Sequence, residues 1–382
     1  MKRIMIVAGE ASGDLHGSNL VRSALSLDPD LKFYGLGGEN LRNAGIDLLF
    51  DLEHQGLFGF LEIVSSLRST IGIYRSLKAS LTRDRPSAVV LIDYPDFNLR
   101  LAKSAKRLGI PVFYYISPQL WAWRQGRVKK VDRYVDRMAV VFPFEPDFYQ
   151  RYGVEVSFVG HPLLDVMDPP RPKEEVKTEL GFDPSQPLLG LLPGSRMSEI
   201  KAHLPLMLES ARRLNAGRPN GVALAVAQAD SLGSGELTPF LELGPKDVKL
   251  VAGHTHDLQN AADVILTASG TATLETALML TPMVVIYRLK LLSYQIFRRM
   301  VKIEHVAMAN LIAGEEVVPE LLQNDARPDN IVTELNRILD SPEDRRRMVE
   351  GLTLIRKKLG GHGASLRAAR LLLETINSRT DT

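Results

Sequence analysis

Short apolar runs separated by helix-periodic segments recur along the whole chain. Ile4–Ala8, Leu31–Leu36, Ser87–Ile92, Pro111–Ile116, Met138–Phe142 and Val156–Val159 are too short for helices, and they do not alternate. That pattern predicts strands of a parallel sheet buried on both faces. Between the first two runs, Leu15, Leu20, Ala24 and Leu25 keep helical spacing. Strand, glycine turn and helix over Ile4–Leu25 open a doubly wound α/β sheet. The alternation stops at Asp168-Pro169-Pro170-Arg171-Pro172, which reads as a linker. It restarts with Leu188–Leu192, Val222–Ala227, Val248–Val251, Val264–Leu266 and Met283–Ile286. Two α/β domains follow, residues 1–168 and 169–382. A helix from about Ala364 to Ile376 could cross back onto the first.

Ligands gather at the carboxyl ends of such strands, so the turns there hold the candidate chemistry. Glu10, Ser12, Asp14 and His16 lie in the first turn; Asp14 reads equally as a cap and His16 as a helix surface residue. After Ile92 come Asp93-Tyr94-Pro95-Asp96. Two carboxylates at a strand end suit acid–base work, although Asp93 also fits a turn and Asp96 the N-cap of a helix from Phe97. Both tryptophans, Trp121 and Trp123, fall beside Arg124 and Arg127. Such a group suits a sugar face, a phosphate or an acyl chain, or one indole fills core. In the second half, Ser195 and Arg196 occupy a strand-to-helix turn where arginine pairs with phosphate or with a surface carboxylate. Ala268-Ser269-Gly270-Thr271 leads into a helix that carries Glu275. Small residues there let backbone N–H groups approach an anion, and the acid reaches a pair of sugar hydroxyls; the plain alternative is an N-capped helix. Tyr287 and Arg288 end a strand. Asn310, Glu315, Glu316 and Gln323 read as a polar loop region. His254-Thr255-His256 lacks a completing carboxylate or cysteine cluster, so no metal is expected.

A chain of 382 residues with 45% hydrophobic content can fill two cores. The net charge of +2 makes any basic function local and argues neither for nor against nucleic acid. Without cysteine there are no disulfides, thiolate metal sites or cysteine nucleophiles. The opening apolar run is too short for a signal peptide, and no run is long enough to span a bilayer, so a cytoplasmic protein is expected. Leu57, Phe60, Leu61, Val64, Leu67, Ile71, Tyr74, Leu77 and Leu81 follow helical spacing, with Arg68, Arg75 and Lys78 on the remaining surface. This is either a core-packing helix with a solvated basic face or one that dips into anionic lipid. Leu289–Lys302 is basic and amphipathic too, and reads as a lipid-facing or partner-facing element or as a plain surface helix.

Taken in order, IMIVAGEASGD (Ile4–Asp14), IDYPDFN (Ile92–Asn98), SPQLWAWRQGR (Ser117–Arg127), FVGHPLLD (Phe158–Asp165), LLPGSR (Leu191–Arg196), ASGTATLE (Ala268–Glu275) and NLIAGEEVVPELLQ (Asn310–Gln323) resemble the lipid A disaccharide synthase family. The resemblance implies the GT-B architecture, two Rossmann-like domains with parallel sheets facing each other across a cleft. It implies an inverting, metal-independent glycosyltransferase with no cofactor. UDP-2,3-diacylglucosamine would donate to 2,3-diacylglucosamine 1-phosphate, giving a β(1→6) tetraacyl disaccharide 1-phosphate and UDP. Ser195, Arg196, Ser269, Gly270, Thr271, Glu275, Tyr287, Arg288, Asn310 and Glu316 would hold the nucleotide, with Arg196 offsetting charge on the leaving UDP. Asp96 would be the base. Glu10, Ser12, Asp14, His16, Trp123 and Arg124 would contact substrate. Acylated substrates turn the helix around Leu57–Ile71 into an expected contact with anionic inner-leaflet lipid, which makes the protein peripheral on the inner face of the inner membrane. No nucleic-acid partner is implied, and a homodimer is left open. A UDP-N-acetylglucosamine 2-epimerase shares the layout but needs neither acyl groove nor membrane helix. A non-catalytic nucleotide-binding module would use the same turn without releasing UDP from a donor.

Overall fold

The apolar runs all become strands, and two of the four edge strands are ones that periodicity does not announce. The computed structural model describes residues 2–51, 63–288 and 305–378, with the side chains of 63–69 outside that description. One unit comprises Met1–Val166 and Leu359–Thr382, the other Met167–Lys358.

In the first unit, β1 (Arg3–Ala8), β2 (Lys32–Gly37), β3 (Asp47–Asp51), β4 (Ala88–Ile92), β5 (Val112–Tyr115), β6 (Arg137–Val140) and β7 (Ser157–Phe158) form one sheet. Its order is β3-β2-β1-β4-β5-β6-β7 and every pairing is parallel. β4 and β5 are buried along their whole length, as strands covered on both faces must be. β3 is a correction to the sequence reading. It is half exposed and begins and ends in aspartate, so it gives no continuous apolar run.

The second unit repeats the plan with β8 (Leu188–Leu192), β9 (Ala223–Gln228), β10 (Val248–Ala252), β11 (Val264–Ala268), β12 (Met283–Tyr287) and β13 (Glu320–Leu322). Their order is β10-β9-β8-β11-β12-β13, again all parallel. The expected polar loop around Asn310–Gln323 instead holds the helix Met308–Ala313 and the short edge strand β13. In each sheet the strand order reverses direction, at β1/β4 and at β8/β11, and a ligand-binding crevice opens outside the strand ends at such points.

The helix Ala364–Asn377 belongs to the first unit and packs against the helix Ala11–Leu27. Asp165 anchors it. Its carboxylate accepts the backbone N–H groups of Gly363 (2.6 Å), Ala364 (3.2 Å) and Ser365 (2.7 Å), which have no intrahelical partner. Arg367 adds a bond from Nε to the Val159 carbonyl at 2.8 Å.

The helix Ile63–Asp84 splits the predicted apolar stripe. Ile73, Leu77 and Leu81 are core, and the Tyr74 hydroxyl meets that of Ser104 at 3.1 Å. Ile71 is 47% exposed. Leu57, Phe60 and Leu61, the side chains of Val64, Leu67 and Arg68, and residues 289–304 lie outside the described residues.

Asp165→Ala should cost about 1–2 kcal/mol, the scale of a lost helix cap. Urea denaturation would show it as a lower midpoint, and limited proteolysis should then release the terminal helix first.

Candidate active site

In the second unit, the carboxyl ends of β8 to β12 collect the predicted nucleotide residues. The turn after β8 closes on Glu199. Gly194 has φ +119°, and a Cβ there would lie 2.4 Å from Glu199 Oε2, so the position demands glycine. The same oxygen accepts the N–H groups of Ser195 (3.0 Å) and Arg196 (3.3 Å). The Arg196 guanidinium is 56% exposed and 3.5 Å from Glu199 Oε1. An exposed pair of that kind is worth about 0–1 kcal/mol, so the side chain can turn to a phosphate at little cost.

After β11, Gly270 and Thr271 are exposed at the start of the helix Thr271–Leu278, whose first N–H groups have no intrahelical partner. The Ser269 hydroxyl donates to the Val306 carbonyl at 3.2 Å. Glu275 is set inward by a turn and a half of that helix. Its Oε2 accepts from Gln259 Nε2 at 3.4 Å and lies 3.9 Å from His256 Nε2. Burial raises its carboxyl above the ordinary range, and His256 and Gln259 oppose that rise. Its Oε1 has no partner among the described residues. Sequence reasoning missed Gln259 and His256. The signal was the His254-Thr255-His256 run, weighed only as a metal site.

Three other candidates are tied into the scaffold. Asn310 is buried, donating to the Val318 carbonyl and Glu320 and accepting from Val317 and Val318 N–H. Tyr287 stacks on buried His203 with ring centroids 5.7 Å apart. The Arg288 N–H donates to His203 Nε2 at 3.1 Å, and its guanidinium donates to the Ala326 carbonyl. Glu316 is exposed.

In the first unit, the turn after β4 is strained. Asp93 and Tyr94 have φ +43° and +47°, each costing on the order of 1–3 kcal/mol for a residue with a side chain. Asn98 Nδ2 holds the turn by donating to the carbonyls of Ile92 (3.1 Å) and Asp93 (2.8 Å), and the Tyr114 hydroxyl donates to the latter. Burial, reinforced by the Glu10 charge, raises the Asp93 carboxyl to about 7. Asp96 differs. It is 63% exposed and accepts from Arg127 Nη2 at 2.5 Å and Arg124 Nη1 at 3.5 Å.

Glu10 and Ser12 are exposed, while Asp14 is buried. Asp14 caps a helix, but the next one in the chain rather than its own: it accepts the N–H groups of Gly38 (2.6 Å), Asn40 (2.9 Å) and Leu41 (3.2 Å). His16 is buried edge-on to His161, centroids 6.3 Å apart, and its Nδ1 has no partner among the described residues. Burial lowers His16 to about 4 against the pull of Asp165, and lowers His161 to about 3 with help from His16. Both are neutral rings near pH 7. Trp121 fills core against Phe142 and Phe144. Trp123 is half-buried and carries the Arg124 guanidinium 4.5 Å above its ring. Glu145, absent from the sequence reading, lies beneath this segment. Its Oε2 accepts Val141 and Phe142 N–H groups, and burial raises it to about 7.

The family model for lipid-A-disaccharide synthetase matches residues 4–370. The lipid-A-disaccharide synthase of Geobacter metallireducens is 46% identical over 378 residues, 99% of this chain and 98% of that protein. That of Myxococcus xanthus is 42% identical over 374 residues, 98% of this chain and 97% of that protein. Among solved structures, the Staphylococcus aureus MnaA–UDP co-structure superposes with TM-score 0.67 at 14% identity, over 99% of this chain and 97% of that one. Acinetobacter baumannii MurG gives 0.58 at 13%, over 98% and 100%. At such identities the structures show the fold, two Rossmann-like units of the GT-B type, and leave the choice between epimerase and transferase to the family match. That match is decisive: the chain belongs to the lipid-A-disaccharide synthase family of glycosyltransferases.

Proposed function

We propose that this chain transfers 2,3-diacylglucosamine from UDP-2,3-diacylglucosamine to the 6-hydroxyl of 2,3-diacylglucosamine 1-phosphate. Membership of the family over nearly the full chain supports the reaction, and Asp93 carries the catalytic assignment.

A general base works best with a pKa near the operating pH, in reach of the hydroxyl it deprotonates. Asp93 is set to about 7 and lies at the switch point of the first sheet. Asp96, the base expected from the sequence, is 63% exposed and is held in ion pairs with Arg124 and Arg127. We therefore assign proton removal to Asp93 and the placing of Arg124 and Arg127 to Asp96. As Asp93 takes the proton, the acceptor oxygen bonds to the anomeric carbon. The bond to the diphosphate oxygen breaks on the opposite face, and its electron pair leaves with UDP, so an α-linked donor yields a β-linked product. Arg196 and the N–H groups at Gly270 and Thr271 offset the charge that develops on UDP. Glu275 accepts from the ribose hydroxyls through its free Oε1. Ser195, Ser269, Tyr287, Arg288, Asn310 and Glu316 shape the donor side, the buried Asn310 by holding backbone rather than by touching nucleotide. Glu10 and Ser12 face the acceptor side, with Asp14 and His16 behind them as supports.

No helix among the described residues is long and apolar enough to cross a membrane. Acylated substrates require access to a bilayer. We place that contact at the helix Ile63–Asp84, where Ile71 is exposed beside Arg75 and Lys78, on anionic lipid at the inner face of the inner membrane.

Purified protein in detergent micelles should release UDP only when both lipids are present. Asp93→Asn should lower turnover by about 10²–10⁴-fold with an unchanged circular dichroism spectrum. Native kcat/KM should rise with pH as Asp93 loses its proton and level off above about 7, and this limb should vanish in Asp93→Asn. Asp96→Asn should keep the limb; its disappearance there would return the base to Asp96. Glu275→Gln should weaken UDP binding about 10–100-fold by calorimetry, the worth of a charge-assisted contact. Ile71→Glu should reduce co-sedimentation with phosphatidylglycerol vesicles, and added salt should reduce it further.

A further inference from the structure

The two arginines on Asp96 have no assigned ligand, and their geometry is that of a built anion site. Arg127 is only 18% exposed and Arg124 is 41% exposed, and both guanidiniums converge on one carboxylate. Two cations meet one anion, so the cluster of Arg124, Arg127 and Asp96 by itself carries one positive charge in excess. Neither side chain is loose. Arg124 lies over the Trp123 ring, and its backbone holds φ +55°. The Arg127 N–H donates to the Arg124 carbonyl at 3.0 Å. Gln125 braces the turn by donating to the Trp121 carbonyl at 3.3 Å and accepting from the Tyr152 hydroxyl at 3.2 Å. A non-glycine residue in the left-handed region persists where its surroundings fix it, and such residues cluster at ligand sites.

We infer that Arg124 and Arg127 form the subsite for a phosphate monoester on the acceptor sugar, with Trp123 against the sugar and Asp96 spacing the two guanidiniums. This rests on the transfer reaction proposed above, in which the donor diphosphate is held by the other unit and the acceptor brings its own phosphate. A doubly charged phosphate satisfies the spare positive charge where a neutral hydroxyl cannot. Two planar forks presented side by side match its oxygens by parallel hydrogen bonds. Asp96 is 63% exposed, so its carboxylate stays hydrated when the outer N–H groups of the two arginines turn toward phosphate.

The same chemistry could be offered by a phospholipid headgroup, and the experiment separates the two sources. The ratio of kcat/KM for the acceptor 1-phosphate to that for the same diacylglucosamine without phosphate is measured in micelles. Arg127→Gln should lower this ratio by about 10–100-fold, the worth of a lost charged hydrogen bond. Arg127→Lys should retain part of it, since the charge stays and the fork is lost. Binding of the acceptor 1-phosphate without donor should weaken by the same factor. That arm reads the subsite even where turnover fails, so loss of the transfer reading and loss of the arginine assignment give different results. Co-sedimentation with phosphatidylglycerol vesicles should not change. An unchanged ratio in folded Arg127→Gln would overturn the subsite, and weaker vesicle binding beside an unchanged ratio would give the arginines to lipid headgroups instead.

Discussion

The ligand edge of the first sheet depends on one backbone constraint, the pair of left-handed residues that follows β4. Asp93 and Tyr94 cannot relax because Asn98 and Tyr114 hold the carbonyls on which the turn is built. Tyr94 then stacks on Phe97 with centroids 5.2 Å apart, and Gly9 passes so close that a Cβ would lie 2.4 Å from the Tyr94 ring. The strain, on the order of a few kcal/mol over two residues, has a clear consequence. It turns the Asp93 carboxyl inward, where burial and Glu10 raise it, and leaves Asp96 outward, where it meets Arg124 and Arg127. Two acids three positions apart thereby acquire opposite environments.

A second theme is the carboxylate that accepts several backbone N–H groups. Asp14, Glu145, Asp165, Glu199 and Glu320 each do this at a strand-end turn or helix start. Turns at a ligand edge expose donors that neither helix nor sheet can satisfy. A fixed acid satisfies them without covering the turn, so the edge stays open to substrate. Several motif acids that look reactive in the sequence are therefore fasteners.

The first unit concentrates buried titratable groups: Asp93, Glu145, His16 and His161. Low dielectric raises the two acids and lowers the two imidazoles. All four move toward their neutral forms, the two acids as far as about 7. The second unit keeps Arg196 exposed and Glu275 half-sheltered, and its sheet edge presents backbone N–H groups.

The central strands, the restart of the α/β pattern and the family were readable from sequence, because apolar runs and glycine turns are local features. β3 and β13 were not: both are edge strands with no fully buried residue, and neither carries the kind of run that announced the other two edge strands, β7 and β10. Asp14, Asn310 and Glu275 show the deeper limit. All three are polar residues in motifs, and spacing alone treats them alike. Only the folded chain spends every hydrogen bond of Asn310 on Val317, Val318 and Glu320, and commits Asp14 to a helix 24 residues away. Among the described residues, the same folding leaves Glu275 Oε1 without a partner. Asp93 and Asp96 make the same point through electrostatics. Their sequence environment is nearly identical, but burial and the approach of Arg124 and Arg127 from 28 and 31 residues along the chain set them apart. Sequence determined which residues reach the ligand edges, because strand and turn are decided by near neighbours. Tertiary structure decided which of them remain chemically available, because desolvation and charge pairing depend on groups brought in from elsewhere.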